Sequence, residues 1–183
     1  YVGIDFGYHT TAVLFVGIDK DQNWWVFDEV YGRESTLQDI IPRIRDKLAG
    51  QRLILMVGDS AAKDAIETMV REFPIVPVVK RQDSIIHGID LIRAKLKPRM
   101  QLIGPPKPQL FIGENCKNFI KEMEAYKYPE DKPDRNPSEQ PVKENDHGPD
   151  ALRYLVLQLK YGVQKDTKIP QSTVLSSFNE YGM

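Results

Sequence analysis

Three aspartates stand where they could act together: Asp5, Asp59 and Asp150. Asp5 lies near the end of an alternating apolar run, Tyr1 to Gly7 (YVGIDFG), and Asp59 just past the continuous apolar run Leu53 to Val57 (LILMV). Asp150 falls in the first turn of the last strongly amphipathic segment. If the first two runs are neighbouring strands, Asp5 and Asp59 meet at one edge of a sheet, and the last helix can bring Asp150 beside them. Carboxylates that close repel, and each raises the others' pKa unless a cation neutralises them. Hard oxygen ligands select Mg2+ or Mn2+. Two such ions about 3.5–4 Å apart activate a water and stabilise the leaving oxygen in phosphodiester cleavage. Each acid also has an ordinary structural reading. Asp59 can cap the helix after it, and Asp150 can favour the dipole of its own helix. Metal chemistry is indicated only by all three falling at matching ends of core elements.

Those elements follow from periodicity. Val2, Ile4 and Phe6 alternate as in a strand, and Thr10 to Ile18 and Asn23 to Val30 are β-branched and aromatic, with the turn Asp19-Lys20-Asp21-Gln22 between them. Three strands in a meander result, with Trp24 and Trp25 as strand residues, one of the pair packed. A helix follows on Leu37, Ile40, Ile41, Ile44 and Leu48; Ser35 and Gln38 resemble a capping box, Gly50 ends it, and Pro42 argues for a start near Asp39. Leu53 to Val57 reads as a strand buried on both faces. A helix from Ala61 to Glu72 follows, with Ala62, Ile66, Met69 and Val70 inward, then a strand from Ile75 to Val79. Ser84 can cap a helix carrying Ile85, Ile86, Ile89, Ile92 and Leu96. Leu110 to Ile112 is a small strand, Asn115 to Ala125 a helix, and His147 to Tyr161 the last helix, its stripe formed by Leu152, Leu155, Val156 and Leu159. Between these last two, Tyr126 to Asn145 is rich in Pro and charge and reads as a long loop, a candidate flap over the site. The order predicts an α/β fold: a mixed central β-sheet flanked by α-helices.

The 183 residues suit one domain, and 41% hydrophobic with 28% charged residues is ordinary for a soluble globular chain. The formal net charge is -1, so any nucleic-acid surface must be local. The single cysteine, Cys116, excludes an internal disulfide and a cysteine-based zinc site. No segment is long and apolar enough for a transmembrane helix, and no signal peptide is evident. A start at Tyr1 inside a strand reads as a domain cut from a larger protein.

Asn145-Asp146-His147-Gly148-Pro149-Asp150-Ala151-Leu152-Arg153-Tyr154 (NDHGPDALRY), preceded by Pro141-Val142-Lys143-Glu144, resembles the C-terminal nuclease motif of tailed-phage large terminases. Gly3-Ile4-Asp5-Phe6-Gly7 with Thr10-Thr11-Ala12 resembles their first nuclease motif, and Val57-Gly58-Asp59-Ser60 the second. Ser84-Ile85-Ile86-His87-Gly88-Ile89 also resembles a stretch common in that family. The resemblance runs from Tyr1 to about Tyr161. It implies an RNase H-like nuclease domain over residues 1–162; beyond Gly162 no periodicity is seen, and 163–183 reads as a weakly ordered or docked tail. It implies two-metal cleavage of concatemeric double-stranded DNA in the host cytoplasm during genome packaging, with the small terminase subunit and the procapsid portal as partners. By motif, Asp5, Asp59 and Asp150 become ligands of Mg2+ or Mn2+. His147, which shares a helix face with Asp150 at i, i+3, either touches a metal, a water or the scissile phosphate, or hydrogen-bonds locally in the first turn. Asp146 reads as the N-cap. The family's packaging ATPase is absent from this chain, since no G-x-x-x-x-G-K-[ST] occurs.

Candidate DNA contacts are Lys80, Arg81 and Lys143. Other basic residues cluster at Arg93, Lys95, Lys97 and Arg99 and in the loop at Lys127, Lys132 and Arg135; a solvated charged surface is the competing reading for all of them. Rival functions are a cellular RNase H or Holliday junction resolvase on the same acids, an ATPase of the actin and sugar kinase group, and a DNA- or portal-binding module without activity. The ATPase needs two lobes around its nucleotide, for which the chain is too short.

Overall fold

The computed structural model describes residues 1–80, 83–101, 103–129 and 141–162. Arg81, most of the loop with its Lys132 and Arg135, and the tail 163–183 lie outside the described residues.

Strands β1 (Val2–Phe6), β2 (Thr10–Ile18) and β3 (Trp24–Arg33) form the antiparallel meander. The β2–β3 turn is held by Asp19, whose carboxylate accepts the Asp21 and Asn23 N–H groups. β3 runs three residues beyond the expected Val30, because β2 continues to offer partners as far as the Thr10–Arg33 pair. In β3, Trp24 is 4% exposed and Trp25 46% exposed, so only one of the pair is packed. Trp25 stacks on Phe111 instead, with ring centroids 4.3 Å apart.

Helix α1 (Leu37–Leu48) continues through Pro42. Its cap is not the Ser35/Gln38 pair but Thr36 and Asp39. The Asp39 carboxylate accepts from the Thr36 N–H at 2.9 Å and hydroxyl at 2.7 Å. Pro42 turns its ring to solvent, while Ile40, Ile41 and Ile44 face the sheet.

The fourth strand, β4 (Met56–Gly58), is shorter than the apolar run before it, and Ile54 is 56% exposed. The reason is register. β4 pairs with β1 from Val2↔Met56 onward, so residues before Leu55 have no strand beside them. Helix α2 covers only Lys63–Met69, and its C-cap residue Val70 points outward, contrary to expectation; Met69 and Phe73 fill the core in its place. Strand β5 (Ile75–Pro77) closes that edge in parallel with β4 and stops before the expected Val79. Helix α3 (Ser84–Leu96) takes Asp83, in the left-handed region at φ 65°, as its N-cap, so Ser84 is the first helical residue rather than the cap. Strand β6 (Leu110–Ile112) pairs in parallel with β3, and helices α4 (Lys117–Ala125) and α5 (His147–Tyr161) follow.

The sheet order is β5-β4-β1-β2-β3-β6, with helices on both faces. Strand alternation sorts the core. Val2, Ile4, Val13, Phe15 and Met56 face α1 and α2, whereas Leu14, Val16 and Val57 face α3, α4 and α5. Fully buried residues such as Leu152 and Leu155 each contribute roughly 1.5–3 kcal/mol relative to exposure. Gly3 and Asp5 share the face that α5 covers. A Cβ at Gly3 would sit 2.3 Å from the Ala151 carbonyl oxygen, so the missing side chain is what lets α5 lie against β1. That close approach brings the start of α5 to the end of β1.

Candidate active site

Asp5 and Asp59 lie at the carboxyl ends of β1 and β4, parallel neighbours at the point where the sheet changes from antiparallel to parallel pairing. The strand order also reverses between them, from β5-β4 to β1-β2-β3, and such a switch point is where open α/β sheets place their ligands. Asp150 reaches the same end from the first turn of α5. Asp59 and Asp150 share the Tyr154 hydroxyl, and Asp5 ends the neighbouring strand with His147 beside it; each acid is already engaged by a partner from this chain.

Asp59 does not cap α2, whose N-cap is Ala62 with no side-chain cap hydrogen bond. Its Oδ1 accepts the Ala61 N–H at 2.8 Å, shaping the turn before α2, and pairs with Lys80 Nζ at 2.5 Å. Its Oδ2 accepts from the Tyr154 hydroxyl at 3.1 Å. Burial pushes this carboxyl's pKa up, but the Ala61 N–H, Lys80 and Tyr154 outweigh it and hold the pKa below the usual value. Asp150 is held by Arg153, one helical turn on, through Nη2 at 2.7 Å and Nε at 3.2 Å. The Arg153 guanidinium is itself buried; burial acts to lower its pKa, and the Asp150 charge reverses this and leaves it raised.

Asp5 Oδ2 lies 2.9 Å from His147 Nδ1. Burial is the main cause of a raised Asp5 pKa, and Asp150 adds to it against the opposing hydrogen bond from His147. His147 is raised in turn, chiefly by that hydrogen bond, with burial opposing. Among the described residues, no three His, Cys, Asp or Glu groups stand as a ready-made metal cage. The carboxylates are neutralised by Lys80, Arg153 and His147.

A cleft of about 380 Å3 opens at this end of the sheet, lined among others by Asp59, Asp150, Asp146, Lys80, Lys143 and Tyr154. Lys143 and Lys80 therefore share the cleft with Asp59 and Asp150, while Asp5 is not among its lining residues; Arg93 and Lys95 are stacked over Tyr128 and Trp24. Asp146 occupies the N-cap position, but its carboxylate makes no cap hydrogen bond; its backbone carbonyl accepts the Asp150 N–H instead.

Three supports escaped sequence reading. Arg153 and Tyr154 lie at i+3 and i+4 from Asp150, a spacing that signals contact on a helix. Glu122 carried no such signal. From α4, its Oε2 accepts the Gly148 N–H at 2.6 Å and the Tyr31 hydroxyl at 2.8 Å, so a carboxylate from another helix satisfies a free donor at the start of α5. A Cβ on Gly148 would lie 2.3 Å from that Tyr31 oxygen, which accounts for a glycine there.

The family model described as "Terminase RNAseH like domain" matches residues 5–158. Among solved structures, the nuclease domain of the large terminase g2p from bacteriophage SPP1, with bound Mn, superposes with a TM-score of 0.65 at 23% identity, covering 87% of this chain and 84% of that one. A large terminase from a thermophilic bacteriophage, in complex with ATP-gamma-S, gives 0.70 at 20% identity over 85% of this chain and 38% of its own length. The large terminase nuclease of thermophilic phage G20c gives 0.56 at 18% identity, covering 87% and 80%. At these identities the likeness is one of fold: the sheet and helices are those of an RNase H-like terminase domain. No curated protein sequence matches the chain significantly.

Proposed function

Since this chain belongs to the terminase RNase H-like domain family, we propose that it is a metal-dependent endonuclease that cuts concatemeric double-stranded DNA for a phage packaging motor. The observation that carries this reading is that the Asp59 and Asp150 carboxylates lie within reach of a single hydroxyl, at the end of the sheet where β1 also carries Asp5. The donor set fits hard divalent ions, since all three groups offer carboxylate oxygens. Two Mg2+ or Mn2+ ions held there would supply an activated water and a stabilised leaving oxygen.

The rest falls to the chain's own groups. Lys80 and Arg153 keep positive charge beside the cleft, where a phosphate would lie. Lys143 extends the contact along the backbone, with Arg81 a candidate from sequence alone, which makes binding steeply salt-dependent. His147 orients Asp5 and holds a proton next to it. The ATPase, the small terminase subunit and the portal would come from the rest of the packaging machinery, in the host cytoplasm.

Supercoiled plasmid cut with Mn2+ or Mg2+, with EDTA abolishing the reaction, is the expected result. Preference for an RNA–DNA hybrid or a four-way junction would move the assignment to another RNase H-like nuclease. Absence of cutting under every metal, with DNA binding intact, would reduce the chain to a binding module.

The His147–Asp5 pair makes a pH signature. Because the folded pKa of His147 lies above its ordinary 6.5, its contribution to the stability of the metal-free fold is complete below that value. The contribution is lost as pH rises through the raised pKa. The melting temperature of the EDTA-treated protein should fall across this window. His147→Gln should flatten that part of the profile; an unchanged profile would rule out the pair as its source.

A further inference from the structure

Tyr154 is 3% exposed on α5, and its ring is near two cations, Arg153 Cζ at 4.8 Å and Lys80 Nζ at 5.6 Å from its centroid. Its hydroxyl stands 3.1 Å from Asp59 Oδ2 and 3.4 Å from Asp150 Oδ2. These two carboxylates belong to elements far apart in sequence, the turn after β4 and the first turn of α5. A phenol has one proton, which as a three-centre donor is shared between the two carboxylate oxygens and holds both near one point. The packed ring fixes where that point is. We propose that Tyr154 is a positioning residue that sets the separation of Asp59 and Asp150, and through it the affinity of the site for its divalent cations. The inference rests on the metal-dependent reading above and adds a residue to it.

Groups that orient metal ligands from behind typically account for 10–100-fold in metal affinity. Tyr154→Phe keeps the ring, its packing and both cation contacts and removes only the hydroxyl. Mn2+ binding would be followed by titration calorimetry in the wild type and Y154F, beside the Mn2+ dependence of plasmid cleavage, the affinity for DNA in Ca2+ and the melting temperature in EDTA. Mn2+ affinity is expected to fall about tenfold or more in Y154F, with half-maximal cleavage shifted to higher Mn2+ by the same factor. DNA affinity and melting temperature should stay near wild type. A purely structural tyrosine would lower the melting temperature and leave Mn2+ affinity alone, and that result, or identical Mn2+ isotherms, overturns the proposal. If the wild type itself neither binds Mn2+ nor cuts, the nuclease reading fails first, and the positioning role goes with it.

Discussion

Asp5→Asn should reduce plasmid cleavage by roughly a thousandfold or more while leaving the protein as stable as before, or more so. On the proposed assignment, the substitution removes one anionic ligand from a site that supplies several kcal/mol of transition-state stabilisation, and each 1.36 kcal/mol is tenfold in rate. The stability half of the expectation comes from the environment of Asp5. Its side chain is only 14% exposed, and burial together with the neighbouring Asp150 makes its charge costly. Asparagine has the same shape, carries no charge and still offers His147 an oxygen. Loss of cleavage with an unchanged or raised melting temperature is the mark of a residue kept for function at some cost to the fold. Cleavage within a few-fold of wild type would remove Asp5 from the site. A fall in both properties would make it a structural residue.

Glu122→Ala should cost about 3 kcal/mol in unfolding free energy, the largest stability effect expected outside the hydrophobic core. The carboxylate is buried, and its Oε2 is the acceptor for both the Gly148 N–H and the Tyr31 hydroxyl. Truncation strands two donors, one of them a free N–H at the start of α5; burial raises the Glu122 pKa, so it is the acceptor oxygen rather than the charge whose loss is costly. Glu122→Gln retains an acceptor oxygen and should cost well under half as much. Denaturant unfolding of the two variants settles it: equal losses would show that the charge at the helix terminus matters more than the hydrogen bonds, and no loss in either would show that water replaces them. The same logic applies one helix earlier. Glu29 of β3 accepts the Asn118 and Phe119 N–H groups and so holds the start of α4. Strand β3 thus anchors α4, and α4 anchors the helix that carries His147 and Asp150.

Much of this was legible in the residues because it is local. Alternation over Val2, Ile4 and Phe6 and the apolar stripe from Leu152 to Leu159 specify their elements, since a strand repeats every two residues and a helix every 3.6. The motif around His147 and Asp150 placed both on one helix face for the same reason, and the mixed sheet followed from the order of elements. The boundaries that differed did so for tertiary reasons. The Leu53 to Val57 run is apolar enough for a longer strand, but a strand exists only where another lies beside it, and β1 begins opposite Met56. Val70 has the right spacing to face inward, yet α2 ends there and Phe73 takes the space.

The site divides along the same line. Sequence alone determined which acids exist, at which ends of which elements, and that no cysteine or Walker-type lysine competes with them. Only the folded chain decided their partners. Lys80 and Arg153 neutralise two of the acids, and Tyr154 joins the same two, Asp59 and Asp150. Glu122 holds the start of α5 from 26 residues away in sequence. Hydrogen bonds and charge pairing act over a few ångströms in space. Separation along the chain therefore carries no information about them unless a helix or a strand pair converts it into distance.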